Sequence, residues 1–145
     1  MTDNNETAPA VPIIDHVGIA VNSLDEAVPR WAAILGQEPS GTESVDSEQV
    51  RIAFFGHRAF GRIELLEPTA PTSSIARHLA TRGAGIHHVC LRVTDLDEAL
   101  RKAGTAGVSP IPPAVRRGAS GARIAFFHPR ATGGILIELR EAGGD

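Results

Sequence analysis

The chain has 145 residues, of which 42% are hydrophobic and 21% charged, a balance that suits one globular domain with its own core and neither a disordered nor a membrane-embedded chain. A net charge of −3 gives no basic surface for nucleic acid, and no apolar run reaches the length of a membrane span. The single cysteine, Cys90, excludes an internal disulfide and points to a reducing, cytoplasmic setting.

The opening MTDNNETAPAVP is polar and has no basic flank leading into an apolar block. Residues 1–12 therefore read as a disordered lead-in and not as a secretory signal. An alternating run over 14–21 predicts a strand, after which Ser23 and Asp25 cap a helix whose apolar stripe runs to Leu35. Strands are expected over about 37–44, 49–56 and 61–67, the first interrupted by Pro and Gly. APTSSIARHLATRGAG has helical apolar spacing at Ile75, Leu79 and Ala80 and stops at Gly83, which predicts a short linking helix. The series then recurs: a strand over 86–93, a helix opened by Thr94 or Asp95 and running to Ala106, and strands over about 108–115, 121–128 and 133–140.

The recurrence is in the residues themselves. RIAFF occurs at 51–55 and again 72 positions on, at 123–127. The same shift lays IDHVGIAVNSLDEAV (14–28) on IHHVCLRVTDLDEAL (86–100), with His16 on His88. Beyond RIAFF the register slips by two in the turn around 131–134, where an insertion costs little. RIELLEP (62–68) then meets ILIELRE (135–141), with Glu64 on Glu138. The chain is thus expected to be one α+β domain over 13–145, built from two tandem βαβββ modules, 13–68 and 85–141.

Side chains alternate across a strand. Val17, Ile19 and Val21, like Val89, Leu91 and Val93, share the face that packs under the helices; His16 and His88 lie on the other. Ile63 and Leu65, and in the second module Ile135, Ile137 and Leu139, take the core side of the last strands, leaving Glu64 and Glu138 opposite. One His and one Glu per module on a common face are what a metal centre at a two-fold axis requires. A lone histidine beside an apolar strand is more often a hydrogen-bonded structural residue, and duplication preserves structural pairs as well as ligands. His57 and His87 have no counterpart, His87 falls on the helix side by alternation, and His128 before Pro129 reads as closing a turn. All three are read as structural.

Paired βαβββ modules with His on the first strand and Glu on the last resemble the vicinal oxygen chelate superfamily. IDHVGIAV, ELLEP followed by SSIARHL, GAGIHHV, RIAFFHPRATGG and ILIEL make the chain similar to the methylmalonyl-CoA epimerases within it. The resemblance spans nearly all of the chain after residue 12. It implies a curved, cup-like mixed sheet around one divalent ion (Co, Mn, Ni or Zn) held by His16, Glu64, His88 and Glu138. It also implies an acyl-CoA substrate and a homodimer. Some members carry a catalytic Glu where this chain has Ile52; others have an apolar residue there and Glu at the position of Glu64. Glu48 shares the parity of Ile52, but four extended residues separate the two by about 13 Å.

Epimerisation at the carbon between a carboxylate and a thioester removes a weakly acidic proton and returns one on the opposite face. An ion chelated by both substrate oxygens stabilises the enolate. Glu64 and Glu138, pseudo-symmetric about that ion, are the expected catalytic pair. RRGASG (116–121) suits either a phosphate contact or a solvated turn. Two rival readings stay open, and a third is disfavoured. A lactoylglutathione lyase uses the same ligand set, and a non-enzymatic small-molecule-binding member uses less of it. A ring-cleaving dioxygenase, with two His and one Glu, leaves no place for Glu64.

Overall fold

In the computed structural model, which describes residues 13–143, the first module reads β1 (Ile13–Ala20), α1 (Leu24–Leu35), β2 (Gly41–Val45), β3 (Val50–His57) and β4 (Gly61–Pro68). After α2 (Ser74–Arg82) comes β5 (Gly85–Val93), α3 (Leu96–Thr105), β6 (Arg116–Arg117), β7 (Arg123–Phe127), the one-turn α4 (Pro129–Thr132) and β8 (Ile137–Glu141). The lead-in expected over residues 1–12 lies outside the described residues. No helix among those described is long and apolar enough to cross a membrane.

Local chemistry sets the helix ends. Ser23 Oγ accepts from the Glu26 N–H, Asp95 Oδ1 from the Glu98 N–H and Ser73 Oγ from the Ile75 N–H, so each of the three long helices starts on a side-chain cap. Gly36 ends α1 in the left-handed conformation, φ 66°, where a Cβ would be strained. A second anchor is duplicated. The first N–H of α1, that of Leu24, donates to Glu67 at 3.4 Å, and the Leu96 N–H of α3 donates to Glu141 at 2.9 Å. Arg51 and Arg123, the first residues of the two RIAFF copies, pair with these same carboxylates. The repeated arginine therefore ties the last strand of each module to the start of its helix, where a carboxylate also meets the positive end of the helix dipole.

The strands form one sheet in the order β2-β3-β4-β1-β5-β8-β7-β6. β1 pairs β4 and β5 pairs β8 in parallel, while β1 and β5 run antiparallel at the centre, where the two modules join. Alternation along β3 sorts its residues cleanly. Val50, Ile52 and Phe54 pack on one face with Ala20, Leu66 and Ile75; Ala53 and Phe55 pack on the other with Val21, Leu24 and Leu65, beneath Val28 and Trp31 of α1. The sheet curls until its ends meet: Ser120, just beyond β6, donates its N–H to Glu43 of β2 at 2.9 Å. This is the expected cup-like mixed sheet of the α+β class.

Three strand boundaries differ from expectation. β2 begins only at Gly41, and the window 108–115 contains no strand, the pairing being confined to Arg116–Arg117. Pro110, Pro112 and Pro113 have no N–H to give a ladder, and the Ile111 N–H bonds singly to the Phe126 carbonyl. β8 starts at Ile137, because α4 and the positive-φ pair Gly133 and Gly134 occupy the residues before it. Ile135 is accordingly 53% exposed instead of facing the core.

Candidate functional site

The central strands bring the duplicated residues together. His16 on β1 lies opposite Cys90 on β5, and His88 opposite Gly18. β4 places Glu64 beside Gly18, and β8 places Glu138 beside Cys90. All four predicted ligands are buried. His16 Nε2 lies 2.5 Å from Glu64 Oε2 and 3.0 Å from His88 Nε2; Glu138 Oε1 is 3.6 Å from the first nitrogen and 3.5 Å from the second. Two imidazole nitrogens and two carboxylates converging on one buried point, with those of His16, Glu64 and His88 all within 4.8 Å of one another, could hold a first-row divalent cation.

A supporting layer escaped sequence reasoning. Asp15 is fully buried, with Oδ2 accepting from His16 Nδ1 at 2.8 Å and Oδ1 accepting from Arg92 Nε at 3.1 Å and Nη2 at 3.0 Å. Arg140 Nη1 lies 3.7 Å from the same oxygen. Burial works against the Asp15 charge, yet the hydrogen bonds to His16 and Arg92 hold its carboxyl well below the usual range. Strict alternation would put Asp15 and His16 on opposite faces. The β1–β5 register slips between Ile14 and His16, and this irregularity lets both be buried together. A second slip, between Gly18 and Ile19, falls opposite His87. His87 therefore does not lie on the helix side: it lines the cup, its Nδ1 3.0 Å from His88 Nδ1. His57 and His128 are structural as expected, each accepting a backbone N–H two residues ahead.

Asp15, His16 and Cys90 form a second potential cluster. Both Asp15 oxygens are already engaged, and burial pushes the Cys90 thiol up to about 12, so the sulfur keeps its proton beside His16.

Charge in the main cluster is unevenly shared. Burial opposes a proton on His16, but hydrogen bonds to Asp15, Cys90 and Glu64 outweigh it and raise the imidazolium to about 12. Burial lowers His88 well below the ordinary histidine value, with the neighbouring His16 acting the same way, so it is neutral. Burial raises Glu138 to about 7, with Glu64 adding to the shift against the pull of His16. Below pH 7, then, His16 and Glu138 both carry protons that a cation must displace. Divalent-ion affinity is expected to rise with pH through about 7, with net proton release on binding. Isothermal titration with Co²⁺ in buffers of different ionisation enthalpy measures the release; uptake without it would contradict this charge distribution.

Above the cluster stands a cup walled on one side by Val50, Ile52, Leu66 and Ile75 and on the other by Ile124 and Phe126. The fourth residue of each RIAFF copy lies directly across from a cluster carboxylate, Phe54 from Glu64 and Phe126 from Glu138. Each ring carries a guanidinium over it, Arg62 at 4.4 Å and Arg116 at 5.5 Å. The RRGASG loop is part of the wall: Gly118 and Ala119 line the cup, and a Cβ at Gly118 would come within 2.8 Å of Ile124 Cδ1. Glu48 lines the cup too, because the chain is extended only from Val50 onward. The 3₁₀ turn Asp46–Glu48 and the left-handed Gln49, φ 52°, fold it inward, with Arg116 Nη1 3.8 Å away.

Residues 15–126 match the family model of the glyoxalase/bleomycin resistance protein/dioxygenase superfamily. The mitochondrial methylmalonyl-CoA epimerase of Dictyostelium discoideum is 33% identical over 129 residues, 88% of this chain and 77% of that protein. Methylmalonyl-CoA epimerase from Mycobacterium tuberculosis superposes with a TM-score of 0.83 at 38% identity, over 90% of this chain and 87% of that one. A Streptomyces coelicolor methylmalonyl-CoA epimerase variant, solved in complex with 2-nitronate-propionyl-CoA, does so with a TM-score of 0.82 at 34% identity, over 90% and 97%.

Proposed function

This chain belongs to the glyoxalase/bleomycin resistance protein/dioxygenase superfamily and, within it, to the family of the methylmalonyl-CoA epimerases, and from that premise we propose that it interconverts the two epimers of methylmalonyl-CoA. In this reading one divalent ion, Co, Mn, Ni or Zn, is held by His16, Glu64, His88 and Glu138. The observation that carries the proposal is the convergence of those four side chains at the floor of an apolar-walled cup.

Held by these four residues, a bound ion would supply Lewis acidity that makes the proton on the reacting carbon easier to remove. Glu138 and Glu64 are the proton-transfer pair, one for each face of that carbon. Glu138 is buried with Oε1 3.5 Å from His88 Nε2, and loosened from the ion its carboxylate would be free to take a proton and give it back. Glu64 is held at both ends, by His16 and by Arg62 Nη2 at 3.4 Å, which fixes its direction of approach. The apolar wall keeps water from the carbanionic intermediate, so the returning proton comes from a carboxyl and not from solvent. We also read the protein as a cytoplasmic homodimer. Ile14, Leu35 and Phe60, the last 91% exposed, line one surface groove and support an apolar contact between copies.

The test is epimerisation of methylmalonyl-CoA by metal-stripped protein, resupplied with Co²⁺, Mn²⁺, Ni²⁺ or Zn²⁺ in turn. Stripping is expected to lower the rate by at least about 10²-fold, and at least one ion to restore it. The same four-ligand set suits a lactoylglutathione lyase, so the hemithioacetal of methylglyoxal and glutathione is assayed alongside. Turnover of that compound alone would overturn the epimerase reading.

A further inference from the structure

Positions 15 and 87 are duplicates, 72 residues apart, each preceding a cluster histidine, yet they carry different chemistry. In the first module a carboxylate backs His16: Asp15 Oδ2 is 2.8 Å from its Nδ1. In the second an imidazole backs His88, Nδ1 to Nδ1 at 3.0 Å. The surroundings match the exchange. Asp15 is neutralised by Arg92 and Arg140, whose duplicated positions are Ala20 and Leu66. A carboxylate at 87 would lack both of those cations. His87 instead meets the ring of His78 from α2, edge to face at 5.0 Å.

For His88 to present the Nε2 lone pair to the cluster, its proton must sit on Nδ1, and something must accept that proton's hydrogen bond. We infer that His87 is a positioning residue whose Nδ1 accepts the Nδ1–H of His88, as Asp15 does for His16, and that exchanging carboxylate for imidazole makes His88 the weaker donor of the pair. The inference rests on the reading of the cluster as a metal centre. Its consequence is a lopsided site, with one strongly donating histidine from the first module and one weaker one from the second. The ion then retains more of its charge for substrate oxygens than two carboxylate-backed histidines would leave it.

The experiment is titration of the full-length, metal-stripped protein with Co²⁺ alone, followed by calorimetry and by the visible absorption of the bound ion, with circular dichroism confirming the fold. His87→Leu removes the acceptor and is expected to weaken Co²⁺ binding by about 10–100-fold. His87→Asn keeps an accepting oxygen at the reach of the Asp15 side chain and is expected to restore most of that loss. His87→Asp is expected to bind Co²⁺ more tightly than wild type. Wild-type affinity in a folded His87→Leu variant overturns the inference, as does equal weakening by Leu and Asn, which would mark a packing role. A wild type that takes up no Co²⁺ overturns the metal reading and this inference with it. A wild type that binds Co²⁺ without epimerising methylmalonyl-CoA overturns only the function, and the variant affinities still decide the role of His87.

Discussion

Glu138→Gln is expected to lower kcat for epimerisation by about 10³–10⁴-fold in a protein that still folds. Glutamine has the shape of the glutamate and can leave an oxygen where Oε1 now lies, 3.5 Å from His88 and 3.6 Å from His16, but it cannot accept a proton. The loss combines that of a general base with a weakened hold on the ion. Solvent deuterium exchange separates the two carboxylates. With Glu138 replaced, the epimer whose proton faces Glu64 should still exchange, without inverting, while the other epimer should not. Glu64→Gln should give the mirror-image result. If Glu64→Gln exchanges and epimerises normally from both epimers, the pairing of the two carboxylates is wrong. Equal loss of exchange from both epimers in each variant would indicate that the substitutions act through the ion alone.

Gly18→Ala should weaken Co²⁺ binding by about 10²-fold or more and take the activity with it. A Cβ at this position would lie 2.2 Å from His88 Cε1, 2.6 Å from Nδ1 and 2.7 Å from Nε2, so the ring must leave its place. The backbone gives no other reason for glycine here: Gly18 is not among the positive-φ glycines, and alanine fits a strand. The effect should therefore fall on the cluster more than on the fold. Two comparisons make this specific. Gly36→Ala, at a helix end with φ 66° and open space around it, should cost about 1 kcal/mol of stability and leave Co²⁺ binding unchanged. Adding His88→Ala to Gly18→Ala should relieve the clash without restoring binding, so the double variant should melt no lower than His88→Ala alone. A Gly18→Ala protein that binds Co²⁺ like wild type would mean that His88 is not held where its ring now lies.

The four cluster residues were legible because two regularities agree on them. Period-two alternation separates His16 from Val17 and Glu64 from Ile63, and the repeat marks the same choice again at His88 and Glu138. The residues that orient the cluster were not legible. Asp15 and His87 sit at irregularities of the β1–β5 ladder, and a slip in register reverses the face that counting assigns. An extended chain would hold Glu48 about 13 Å from Ile52, but a 3₁₀ turn followed by a left-handed residue brings it to the cup. Alternation gives Arg92 the same face as His88, but nothing in the chain as written marks its partner, Asp15, 77 residues away.

RIAFF marks the division between what the chain dictates and what folding decides. The sequence by itself determined the two modules, their seam and the four converging side chains, since alternation and repetition are properties of the chain as written. Only the tertiary structure decided what the pentapeptide does. Its arginines close on Glu67 and Glu141 at the helix starts, and its fourth residues, Phe54 and Phe126, lie across from Glu64 and Glu138. It likewise decided that one cluster histidine is backed by a carboxylate and the other by an imidazole. Those outcomes depend on ladder irregularities and on arginines contributed by neighbouring strands, and such contacts exist only once strands far apart in the chain have been laid side by side.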